Sequence, residues 1–182
     1  MERLVVVISR AMGVVAALAI VVLMAAIVTD VTTRYITGGS MPAMVELSES
    51  ALVVAVFFGL AWAGASGAHV AVSLVTDRLP DGVNRILTVV VWLLATGFTA
   101  WMTFATYERA VSSTDRSETR MGLVEWPIWP LRWVIVIGLA AFLLVCVINL
   151  LRAVRGREIL PAAIEGAEPR TPAAHIDDRA GL

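Results

Sequence analysis

Along the chain, four long apolar runs alternate with short polar stretches. Ala11–Thr29, Ser50–Ala68, Ile86–Tyr107 and Trp133–Leu151 contain no Asp, Glu, Arg, Lys or His. Each run is 19 residues or longer, and a helix of that length rises roughly 28 Å at about 1.5 Å per residue. That nearly matches the ~30 Å hydrocarbon core of a bilayer. Backbone amides in lipid must be paired within their own segment, so such runs are helices. The pattern predicts an all-α integral membrane protein with four transmembrane helices at about 11–29, 50–68, 86–107 and 133–151. The first run is longer than the ~7–15-residue core of a cleaved signal, and no clear small-x-small site follows it, so it is read as an uncleaved anchor.

The polar positions between the second and third runs have a helical period of their own. His69, Ser73 and Thr76 fall at i, i+4 and i+7, while Val72, Val75 and Leu79 form an apolar line. This predicts a short amphipathic segment lying along the membrane surface, stopped by Pro80. Beyond Arg157 the period is lost and Ala, Pro, Gly and charge dominate. Residues 1–156 are therefore read as the four-helix domain and 157–182 as a disordered tail.

Composition sharpens this picture. The chain is 59% hydrophobic and 16% charged, more apolar surface than a soluble domain of 182 residues could hide. A net charge of −1 gives no reason to expect a nucleic-acid partner. Four spans put both termini on one side. That side carries Arg3, Arg10, Arg78, Arg85, Arg152, Arg155 and Arg157, against Arg34, Arg109, Arg116, Arg120 and Arg132 on the other. The bias favours cytoplasmic termini under the positive-inside rule.

Candidate chemistry is sparse. The two histidines, His69 and His175, lie outside the runs, so no facing pair could hold a haem between helices. Cys146 is the single cysteine, and no grouping typical of a metal site appears. No phosphate-binding glycine loop or nucleophile elbow is present. Neither a cofactor nor an enzymatic activity is expected. The runs also lack the intramembrane ionisable groups that ion-coupled carriers tend to keep, which points towards a partner rather than a self-sufficient transporter.

The remaining charges sit at membrane edges. Arg34 follows the first run, and Glu46 and Glu49 open the second, after Ser40 and Pro42, which suit a helix start. Two glutamates three apart share a face at a helix N-terminus, where negative charge is favoured. Arg34 is read either as a snorkelling end-cap or as the partner of one glutamate, across the first hairpin or across an interface. Trp126, Trp129 and Trp133 suit the headgroup layer, and Pro127 and Pro130 mark the entry to the fourth span. That aromatic stretch is either a belt or a docking surface.

The stretch from Phe57 to Pro80, FFGLAWAGASGAHVAVSLVTDRLP, resembles the signature of the DctQ-type small membrane subunits of TRAP (tripartite ATP-independent periplasmic) transporters. There an apolar helix is followed by Gly-x-His-hydrophobic-x-hydrophobic-Asp and then Leu-Pro. Arg34, Glu46-Leu-Ser-Glu49, Pro127-x-Trp129 and Gly138 resemble further landmarks in the same order. The likeness covers roughly residues 10–155. It departs at Ser73, where the family usually has Asp, and at Ala65 and Ser66, where a basic residue often stands, so a salt bridge made there by the family does not carry over.

The resemblance implies a small permease subunit that binds a large membrane subunit and enlarges its static part. The large subunit would move a carboxylate-bearing molecule, driven by sodium and delivered by a periplasmic solute-binding protein. The implied location is the bacterial inner membrane. Arg34, Glu46, Glu49, His69, Pro127 and Trp129 become candidate interface or structural residues. The alternatives are an independent four-helix channel or carrier, or the membrane anchor of another complex.

Overall fold

The computed structural model describes residues 2–66, 81–120 and 124–155. The amphipathic segment expected around His69 and Ser73, and the tail expected from residue 157, lie outside the described residues. Four helices make up nearly all of the rest: α1 (Glu2–Thr37), α2 (Met44–Ala65), α3 (Asp81–Asp115) and α4 (Trp129–Val154). All four are long and apolar enough to cross a membrane. A two-residue antiparallel pairing of β1 (Thr119–Arg120) with β2 (Trp126–Pro127) closes the loop before α4.

The helices outrun the apolar stretches that predict them. α1 has 36 residues and α3 has 35, or roughly 50 Å each, against a core of about 30 Å. Polar side chains do not stop a helix whose backbone bonds remain satisfied. The apolar run at 11–29 therefore continues through Asp30 and Arg34 to Thr37, and the candidate span Val5–Thr37 carries charge towards its ends. The run at 86–107 likewise continues through Glu108 and Arg109 to Asp115.

What ends each helix is backbone geometry. Gly38, at φ +74°, takes the left-handed position after α1, and its N–H donates to the Arg34 carbonyl at 3.0 Å. α2 starts without a side-chain cap, behind Ala43 at φ 68°. Ser40 is thus not the N-cap that its position suggested, because its hydroxyl is used elsewhere. Pro130 lies in the first turn of α4, as its missing N–H allows.

Packing arranges the helices as a row. α1 lies along α2, α2 along α4 and α4 along α3; α1 and α3 share no extended contact. Along α1 the buried positions Ser9, Met12, Ala16, Ala19, Ala26 and Asp30 follow the alternating three-and-four spacing of one helix face. The opposing face of α2 offers Gly59, where an added Cβ would lie 3.9 Å from the Ala16 Cβ, and Trp62 packs against Gly13, so small residues let the two backbones approach. The α2–α4 contact is closer still. A Cβ on Gly138 would lie 2.7 Å from the Phe57 carbonyl oxygen, and one on Gly64 would lie 2.6 Å from the Phe142 ring. α4 carries the most buried set, with Val145, Cys146 and Asn149 all at 1% exposure or less. The outer flanks remain apolar: Val14, Leu18 and Val21 on α1, and Leu94, Phe98 and Trp101 on α3, all face outwards.

Candidate functional site: the polar end of the bundle

The antiparallel order brings the C-terminal ends of α1 and α3 and the N-terminal ends of α2 and α4 to one end of the row. Three polar clusters form there, each built around one ion pair.

Asp30 is the centre of the first. On the buried seam of α1, it accepts hydrogen bonds from Arg34 Nη2 at 2.7 Å, from the Ser40 hydroxyl, and from the Met41 N–H at 3.3 Å. One carboxylate thereby ties the last turns of α1 to the connection leading into α2. The structure gives Arg34 this partner, one turn back on its own helix, in place of Glu46 or Glu49. Arg34 is at the same time largely exposed.

The second cluster joins the two loops. Glu49, in the second turn of α2, pairs with Arg120 of β1, and one residue on the Ser50 hydroxyl accepts from Trp126 Nε1 at 3.1 Å. Both Glu49 and Arg120 are about half exposed, a setting in which an ion pair adds about 0–1 kcal/mol. Glu46 stays in the first turn of α2, half-buried, where its charge faces the helix dipole. Pro127 lies in β2, paired with Thr119.

The third cluster links α3 to α4. Arg132 pairs with Glu118 at 2.9 Å, and Trp133 Nε1 donates to Thr114 Oγ1 at 3.0 Å. Tyr107 meets the Trp133 ring edge to face, with centroids 6.0 Å apart. The aromatic stretch therefore divides. Trp126 and Trp133 spend their indole N–H groups on protein acceptors, while Trp129 remains 40% exposed at the start of α4. Between the end of α3 and the loop before α4 opens a cleft of about 460 Å³ lined by Glu108, Arg109, Ser112, Ser113, Arg116, Glu118 and Arg132.

Of the six residues singled out from sequence, five are described and four of them, Arg34, Glu46, Glu49 and Pro127, contribute to the helix ends and loops of this polar end. Trp129 lies beside it, and His69 lies outside the described residues. Asp30, Ser40, Arg120 and Trp126 do as much to hold the loops and were not singled out as site residues. Asp30 had a signal: it falls on the seam defined by Met12, Ala16, Ala19 and Ala26, one turn before an arginine. Among the described residues no three His, Cys, Asp or Glu side chains are grouped as metal ligands would be.

These features define a multi-pass membrane protein whose spans are built for packing and whose polar groups are gathered at its ends. The family model for the DctQ component of tripartite ATP-independent periplasmic transporters matches residues 23–156, most of the chain and every described helix in whole or part. The chain belongs to this family, a family of transporter components. No curated protein and no solved structure matches it.

Proposed function

We propose that this small TRAP transporter subunit acts as a scaffold for the large membrane subunit during sodium-driven uptake of a carboxylate-bearing molecule. The substrate is handed over by a periplasmic solute-binding protein. The observation that carries the reading is the open row α1–α2–α4–α3. A closed bundle hides its apolar seams from every side, whereas a row leaves two long flanks for lipid or for another protein. Its interior is fixed by glycine and alanine contacts too close for helices to slide past one another, which suits a static element better than a moving one. The ionisable side chains of the described residues gather towards the helix ends, leaving the apolar mid-spans without a coupling charge.

The subunit resides in the inner membrane with both termini cytoplasmic, which turns the polar end towards the periplasm. Arg34, Glu46, Glu49 and Trp129 then stand at the level where a large subunit and a binding protein would meet the chain. His69 lies outside the described residues; under this proposal it is a hydrogen-bonding residue at the opposite membrane surface.

Affinity purification of the tagged chain from mild detergent, with a large TRAP membrane subunit of the same organism co-expressed, tests this reading. A large multi-spanning subunit should co-purify in a fixed ratio. Recovery of the chain alone, with the permease present in the same membranes but not retained, contradicts it.

A further inference from the structure

We infer that the cleft between the end of α3 and the loop before α4 binds a phosphate group, at the depth where phospholipid headgroups lie. Arg109, Ser112, Ser113 and Arg116 fall at i, i+3, i+4 and i+7, so the last turns of α3 present two guanidinium groups and two hydroxyls along one face. Arg132 closes the opposite wall and is held by Glu118 at 2.9 Å. Arg109 and Arg116 have no acidic partner among the described residues. With Glu118 neutralised by Arg132, Glu108 is set against two free arginines, and the lining carries a net charge of +1.

A second observation points to a ligand. Ser113 is 2% exposed, and its Oγ has no hydrogen-bond partner. A buried hydroxyl without a partner forfeits its hydration for nothing, and such groups are rare in folded proteins. Here the orphan lies in the wall of the arginine-lined cleft, where a phosphate oxygen could accept its proton.

The negative end of the α3 dipole does not stand in the way. The Ser112, Ser113 and Thr114 carbonyls already accept from Arg116, Glu118 and Ser117 N–H groups at 3.3, 3.0 and 3.0 Å. Depth favours a headgroup. A Tyr–Trp pair such as Tyr107–Trp133 suits the boundary between the apolar core and the headgroups, and Ser112 stands about 7.5 Å further along the helix. The headgroup region on each side of a bilayer is roughly 5–8 Å thick. Guanidinium groups fork onto phosphate oxygens with charge-assisted bonds, and basic pockets beside spans are natural headgroup sites.

The test uses the full-length chain in neutral detergent micelles, titrated with phosphatidylglycerol, with diacylglycerol (which lacks the phosphate) and with inorganic phosphate. Binding is read by native mass spectrometry. One saturable phosphatidylglycerol is expected, with none for diacylglycerol. The Arg109→Gln/Arg116→Gln pair, both exposed residues whose replacement leaves the packing intact, should weaken it about tenfold or more, as loss of charge-assisted bonds predicts. Ser113→Ala should weaken it as well. Saturable inorganic phosphate with the same dependence on the arginines would support the site and assign it to a free anion. Binding that is equal in all variants, or absent for both phosphate probes, overturns the inference.

Discussion

The close approach of α2 and α4 makes a sharp claim about three glycines. A Cβ added at Gly138 would stand 2.7 Å from the Phe57 carbonyl oxygen, 2.8 Å from its Cβ and 2.9 Å from its carbonyl carbon. Two of those atoms are backbone, so relief requires the helices to part along their length. Ordinary contact begins near 3.4 Å, so the axes would move by several tenths of an ångström and loosen neighbouring contacts at Gly64 and Val145. Overpacking of this kind costs about 1–3 kcal/mol, and Gly138→Ala should lose that much. At Gly64 the obstacle is the far edge of the Phe142 ring, 2.6 Å away; a ring can turn, so Gly64→Ala should cost less. Gly97 has nothing within 4 Å, and there alanine should be neutral or gain up to about 1 kcal/mol from helix propensity. Reversible unfolding of the three variants in mixed micelles, with helicity as the signal, ranks them. If Gly138→Ala matches Gly97→Ala, the α2–α4 contact is not what holds the row together.

Three further outcomes follow from the polar end. Asp30→Ala should loosen the α1–α2 connection by removing the acceptor shared by Arg34, Ser40 and Met41, so proteases should cut near residue 40 sooner than in Arg34→Ala, which loses one exposed arm of the same cluster. Glu49→Gln should change stability by less than about 1 kcal/mol, as expected for an exposed ion pair; a larger loss in the unfolding assay would contradict the half-exposed setting of the pair. For topology, Thr119→Cys should react with an impermeant thiol reagent on intact cells and Arg155→Cys should not. The native Cys146 is fully buried and should stay silent, and the reverse labelling would invert the orientation.

That the chain has four helices long and apolar enough to cross a membrane was legible because a bilayer imposes one strong rule, an unbroken apolar run of fixed length, and the chain obeys it four times. Helix ends were not, since Asp30, Arg34, Glu108 and Arg109 continue α-helix into the aqueous layer, where hydropathy carries no information about backbone. The cap of α2 was misjudged for a related reason: Ser40 has the chemistry of a cap, yet an acidic partner on α1 claims its hydroxyl. Edge charges could be recognised as candidates, but their partners could not. Glu49 and Arg120 are 71 residues apart, and only the antiparallel stacking of the row brings them together. Arg34 and Asp30 are the reverse case, an i,i+4 pair visible in the sequence once Asp30 is seen to lie on the buried seam.

The scaffold reading is tested most directly by reconstitution. Proteoliposomes containing this chain alone, the large subunit alone, or both are supplied with the periplasmic binding protein, its labelled substrate and an inward sodium gradient. Uptake should appear only with both membrane subunits present, and it should collapse when the gradient is removed. Sodium-driven uptake by this chain alone would contradict the account.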